Sequence, residues 1–301
     1  MIKKFLKFVE IQTKITSTFA FANTLMYMLF LKQPINIPLM IIFCIAAFIF
    51  DLATTAINNY IDSKDYPEML PFRRDVSLFL IICMLFISTV MGLYLALKTG
   101  IVVLLLGALC FGLGIFYTFG PMPISRIPLG EVFSGIAYGM FIPFLMVYIN
   151  NPDEYIILDY KNGVLSVHFM LWPLISFLFF SLVNTFTTSN IMVANNTCDL
   201  EKDVAVDRHT LIFYIGQKNG VRVFATLYYL CYAAVIAMVA LKILPIIALI
   251  FLLSFPLVER NIRVFRKEQI KSKTFITAIK NFIIVNTSYF IALTLSFLMY
   301  R

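Results

Sequence analysis

Long apolar runs alternate with short polar breaks along this chain, and the runs approach or exceed the length of a bilayer crossing, roughly 20 residues. Nine of them predict helices at about 15–31, 36–59, 76–97, 100–118, 130–149, 169–193, 221–241, 243–258 and 276–300. Only Lys242 and the nearby Pro245 separate the seventh from the eighth. The first follows Lys3, Lys4, Lys7 and Lys14, as a secretory signal would. It contains Thr16, Ser17, Thr18 and Asn23, however, and no small-residue cleavage pattern follows, so it reads as a retained helix. The expected fold class is all-α and polytopic, a single transmembrane domain over residues 1–301.

Composition agrees with this pattern. The chain is 61% hydrophobic and 13% charged, against about 45–50% and 25% in soluble domains. If the N-terminus is cytoplasmic, nine crossings place 19 of the 24 Lys and Arg on or beside inner segments and 5 outside, as the positive-inside rule requires. That asymmetry accounts for the net charge of +8 without a nucleic-acid partner. The five cysteines have no CxxC spacing, and four lie inside apolar runs. They read as small core residues, neither a zinc site nor a disulfide frame. Trp172 falls at an outer helix end, where an interfacial anchor belongs. The outer segment 150–168, with Asp153, Glu154, Asp159 and neighbouring His168, reads as a solvated loop without chemistry.

The chain has only 16 acidic residues, and eight of them concentrate in two inner segments, 60–75 and 194–220. At the end of the second run stands Asn58-Asn59-Tyr60-Ile61-Asp62-Ser63-Lys64-Asp65, and at the end of the sixth Asn195-Asn196-Thr197-Cys198-Asp199-Leu200-Glu201-Lys202-Asp203. Helical spacing puts Asn58, Asp62 and Asp65 on one face, and Asn195, Asp199 and Asp203 on another. Both segments read Asn-Asn-x-x-Asp, and four crossings separate them, which suggests a four-helix internal repeat with two acidic faces across a common cavity. Carboxylates with amide oxygens suit a hard divalent cation, and Mg²⁺ takes one or two carboxylates with water and substrate phosphate completing its shell. Arg73, Arg74, Lys202 and Arg208 lie beside the clusters as phosphate partners. The basic stretch Arg260–Lys273 reads as a topology determinant and anionic-lipid contact.

In these residues the sequence resembles the UbiA superfamily of intramembrane prenyltransferases. Residues 58–65 are similar to the family's first aspartate motif, and 195–203 to its second. The stretch 207–216 resembles the family's G-K-R-T-L…L-G run. Residues 117–131, Y-T-F-G-P-M-P-I-S-R-I-P-L-G-E, resemble the inner loop of the subgroup that prenylates 1,4-dihydroxy-2-naphthoate in menaquinone synthesis. Asn59, Cys198, Asp207 and His209 depart from the residues usual at those places.

The resemblance implies nine helices around a central lipid-accessible cavity in a bacterial plasma membrane, with N-terminus and both motifs cytoplasmic. It implies a Mg²⁺-dependent transferase that moves the chain of an allylic polyprenyl diphosphate to an aromatic acceptor. In the naphthoate subgroup, loss of the acceptor's carboxylate gives a demethylmenaquinone. Asp62, Asp65, Asp199 and Asp203 would then hold the metal, with Asn58 and Asn195 assisting. Arg74 and Arg208 would stabilise the departing diphosphate, Tyr60, Tyr117 and Tyr138 would steady the allylic cation, and Arg126 would pair with the acceptor carboxylate. The rivals are a non-catalytic or differently specific lipid-binding relative and a cation- or proton-coupled transporter. For the transporter, Asp51 is the carboxylate placed well within an apolar run.

Overall fold

The structure, a computed structural model, describes residues 1–64, 67–121 and 123–300. All nine apolar segments are helical, but they are not nine equal spans. Among the described residues six helices are long and apolar enough to cross a membrane. These are α3 (Ile37–Asp62), α4 (Arg74–Thr99), the composite α6–α7 (Gly130–Asn150), α8 (Leu171–Ala205), α10 (Gln217–Ala240) and α12 (Ile276–Met299). Helices α2 (Ile15–Phe30) and α5 (Ile101–Phe116) have 16 residues each. The predicted eighth span is a 3-10 helix, Ile246–Ser254, running into the polar-faced α11 (Phe255–Lys267). Two short helices complete the set, α1 (Ile2–Phe8) before the first run and α9 (Leu211–Ile215) after the second motif.

Local chemistry explains the boundaries that matter. Helix α3 starts where the Asn36 side chain accepts the Leu39 N–H at 3.2 Å, with Pro38 in the first turn. Helix α8 has 35 residues and is therefore roughly 52 Å long. It exceeds the hydrocarbon thickness of about 30 Å, and the second motif occupies its last turns. Between α6 and α7 the helix widens into a π turn at Ala137–Phe141. Pro143 follows at once, with no N–H to give and a ring that crowds the preceding turn.

The segment expected to be a plain outer loop is instead a β-hairpin. Strand β1 (Ile156–Lys161) pairs antiparallel with β2 (Val164–Phe169). Asn162 and Gly163 connect them with φ of 52° and 79°, the pair of positive values that a two-residue type I′ turn demands. Tyr155 fastens the hairpin to the bundle. It is fully buried, accepts 2.7 Å from Gln33 Nε2, and meets Phe144 and Phe177 edge-on.

Polar groups knit the bundle where lipid-like burial would punish them unpaired. Asn23 of α2 donates to Asn184 of α8 at 2.9 Å and to Asn286 of α12 at 3.2 Å, and Asn286 donates to Thr187. Helix α6 and its π turn lie flush against α8 through Gly135 and Gly139. A Cβ at Gly139 would stand 2.3 Å from the Thr185 backbone, and one at Gly135 1.9 Å from Ser189 Oγ.

Candidate active site

One face of α3 carries Asp51, Thr55, Asn58 and Asp62, spaced by four, three and four residues, so that they climb the helix as a ladder. All four line a cavity of about 1050 Å³ that runs from polar walls at Lys14, Asn58, Asn59, Asp62, Tyr117 and Asn195 into an apolar space between α4 and α5. The structure thus brings the first motif and the leading amide of the second to the same cavity. Asn58 Oδ1 accepts a short contact from Thr118 Oγ1, while Asn59 donates 2.9 Å to the Phe8 carbonyl. Asp62 is exposed at the last turn of α3. Asp65 lies outside the described residues.

The second motif is held by cations. Asp199 Oδ2 takes 2.6 Å from Lys271 Nζ, which also makes a short contact with Asn195 Oδ1. Asp203 is buried and faces Arg208, with Arg208 Nη1 3.5 Å from its Oδ1, while its Oδ2 is buried without a partner. The next residue of the motif, Asn196, turns inward and donates 2.7 Å to Glu131 Oε1. Glu131 is itself buried, and its second oxygen has no partner. Among the described residues no three His, Cys, Asp or Glu side chains gather around one point. The donor set is one of scattered carboxylate and amide oxygens, with orphaned buried oxygens on Asp203 and Glu131. Such a set suits Mg²⁺, which fills most of its octahedron with water and phosphate, better than a metal that needs an all-protein cage.

The remaining expected site residues have specific places. Arg74 stacks on Tyr60, 4.1 Å from the ring centre, and donates to the carbonyls of Tyr60 and Ser63, so the pair closes the end of α3. Arg73 is exposed and pairs with Asp75, and Lys202 is exposed on α8. Arg126 donates to the Val206 carbonyl at 3.4 Å and its own carbonyl accepts the His209 N–H, which joins the 123–129 loop to the strap after the second motif. Tyr117 and Tyr138 both line the cavity.

Two features carry no signal in the acidic motifs. Tyr138 donates 2.7 Å to Asp51 Oδ1, and the same carboxylate takes 2.7 Å from Lys14 Nζ and 2.8 Å from Ser17 Oγ. Lys14, which sequence assigns to the basic N-terminal stretch, is 4% exposed and completes its shell with the Asp51 carbonyl and Thr55. Lys271, expected to face lipid headgroups, instead crosses to the second motif. Only the three-dimensional approach of α2 to α3, and of the 268–275 connection to α8, reveals either pairing.

A bundle of apolar helices around a cavity whose mouth bears oxygen donors defines an integral membrane protein. The model of the UbiA prenyltransferase family matches residues 18–283, and the chain belongs to that family. A curated relative, the 1,4-dihydroxy-2-naphthoate octaprenyltransferase of Bacillus subtilis (strain 168), is 25% identical over 153 residues, which is 51% of this chain and 43% of that enzyme's length. The fold is shared with a solved digeranylgeranylglyceryl phosphate synthase (TM-score 0.66, 16% identity, covering 97% of this chain and 98% of that one). It is shared also with a UbiA homologue from Aeropyrum pernix K1 (0.63, 17%, 92% and 96%). A third, from Archaeoglobus fulgidus, was solved bound to GPP and Mg²⁺ (0.60, 10%, 97% and 99%).

Proposed function

We propose that this chain transfers a polyprenyl group from an allylic polyprenyl diphosphate to an aromatic acceptor, 1,4-dihydroxy-2-naphthoate, with loss of carbon dioxide to give a demethylmenaquinone. The observation that carries the reading is the single cavity that both Asp62 and Asn195 line and that continues into apolar space. The 1,4-dihydroxy-2-naphthoate octaprenyltransferase relative and the A. fulgidus homologue bound to GPP and Mg²⁺ support it. The sites for Mg²⁺ would be Asn58, Asp62, Asp65, Asn195, Asp199 and Asp203. Mg²⁺, when bound, neutralises diphosphate charge and so eases departure of the leaving group.

This chain's own residues do the rest. Arg208, anchored on Asp203, offers a guanidinium to the leaving diphosphate. Apolar walls from α4 and α5 receive the prenyl tail and exclude water from the allylic cation. Tyr117 and Tyr138 present rings to the cavity for that cation. Tyr138 is fixed by its hydroxyl on Asp51, which leaves its ring as the part free to act. Arg126 is occupied by the Val206 carbonyl, and its role toward the acceptor carboxylate is part of the proposal. The rival cation or proton pathway draws no support from Asp51, since Lys14, Ser17 and Tyr138 already engage its carboxylate. The protein is proposed to lie in a bacterial plasma membrane with both motifs on the cytoplasmic face.

The test is incubation of purified protein with Mg²⁺, a polyprenyl diphosphate and a panel of aromatic acids, followed by mass spectrometry of the lipid extract. A product heavier by the prenyl unit and lighter by carbon dioxide is expected with the naphthoate. Asp62→Ala and Asp199→Ala are expected to abolish it while the protein still inserts. Wild-type turnover in either variant would overturn the assigned roles.

A further inference from the structure

Lys271 stands in an unusual relation to the second motif. It comes from the connection between α11 and α12, and that connection is braced. Thr274 is buried, its hydroxyl accepts the Ile270 N–H at 2.9 Å, and its own N–H donates 2.8 Å to the Ile270 carbonyl. The turn so fixed points the Lys271 ammonium at Asn195 Oδ1 and Asp199 Oδ2, two oxygens one helical turn apart on α8. Its Nζ also lies 4.6 Å over the ring of Phe275, and Phe275 and Asn195 both line the cavity. The neighbouring basic residues do otherwise, for Arg263 and Arg266 pair with Glu259 on their own helix. One ammonium therefore takes the two oxygens that the proposed function gives to a divalent ion, at the edge of the same chamber.

We infer that Lys271 is an exchangeable counter-cation for the second motif. In the empty protein it neutralises Asp199 and keeps Asn195 oriented. When a divalent ion arrives with a diphosphate, the ammonium yields those oxygens and takes a non-bridging phosphate oxygen instead. A single positive charge thus opposes metal alone and favours metal together with diphosphate, which makes occupation of the site conditional on the prenyl donor. Lys271 is a positioning residue for the motif and a binding residue for the donor's head, and this role rests on the proposed prenyl-transfer reading.

The test is Mn²⁺ binding, read by electron paramagnetic resonance, to the whole protein in nanodiscs with and without inorganic pyrophosphate. For wild-type protein, pyrophosphate is expected to tighten Mn²⁺ binding markedly. In Lys271→Met, Mn²⁺ alone is expected to bind roughly thirtyfold more tightly, the factor set by a unit charge and a divalent ion about 4 Å apart in a water-like medium. The tightening by pyrophosphate is expected to shrink by at least as much. Lys271→Arg is expected to keep most of the pyrophosphate effect, and Arg263→Met, a charge removed from the exposed side of α11, is expected to leave both readings unchanged. A purely structural pin predicts the opposite sign, weaker Mn²⁺ binding with and without pyrophosphate in Lys271→Met. That result, or no change, would overturn the inference while leaving prenyl transfer standing. Wild-type protein that binds no Mn²⁺ even with pyrophosphate would sink the metal-dependent reading itself.

Discussion

At the scale of single residues, two oppositely charged side chains are buried together inside the bundle. Lys14 and Asp51 are each 4% exposed on the side chain and 2.7 Å apart. Removing one partner of such a pair leaves an uncompensated charge and costs about 3–5 kcal/mol, whereas replacing both with apolar groups is often nearly neutral. Lys14→Met and Asp51→Leu should each lower the unfolding temperature in detergent strongly, and the double variant should recover most of the loss. Equal loss in all three would show that the ion pair matters less than the hydroxyls of Ser17 and Tyr138 bonded to Asp51. Sequence reading found the acidic motifs because a carboxylate near an apolar run stands out against its background. It missed Lys14 and Lys271 as partners for the converse reason. A lysine beside a membrane helix is the most ordinary residue such a chain has, and its partner lies 37 or 72 positions away.

Among the elements, the joint between α6, its π turn and α8 positions Tyr138 and Glu131, and it depends on the absence of side chains at Gly135 and Gly139. A methyl at Gly139 meets backbone, which cannot swing aside, so Gly139→Ala should separate the helices and lower thermal stability by a few kcal/mol, as overpacking typically does. Gly112, in α5, has nothing within 4 Å of its absent Cβ. Gly112→Ala should be neutral or slightly stabilising, up to about 1 kcal/mol, because alanine is the better helix former. Comparing melting temperatures of the two variants separates close packing from a general intolerance of change at glycine. Helix positions were legible from hydropathy to within a few residues at most ends. The hairpin at 156–169 was not, since six-residue strands with mixed exposure give no sustained period. Asn162-Gly163 marks a turn, but a turn signal alone does not tell a hairpin from an open loop. The eighth segment looked like a span because its run is apolar, yet it winds as 3-10 helix and passes into an α11 rich in arginine on one side.

For the molecule as a whole, the polar and apolar ends of the cavity are built by different helices, and this separates what each can change. The head end draws on α3, α8 and the N-terminal segment, whereas Gly92, Val103, Leu104, Gly107 and Ala108 of α4 and α5 form the apolar end. Gly92 and Gly107 have open space where a side chain would go. A phenylalanine at Gly107 would project into the tail region and leave the acidic motifs untouched. If the tail of the donor lies there, Gly107→Phe should lower turnover of long polyprenyl diphosphates at least tenfold while geranyl diphosphate is used as well as by wild-type protein. Competition between short and long donors in one reaction, read by mass spectrometry, measures that ratio without dependence on protein yield. Equal loss for both lengths would mean that the α4–α5 space serves packing and that the tail leaves the chamber by another route, because a ring in an unused space cannot discriminate between donors that share one head group.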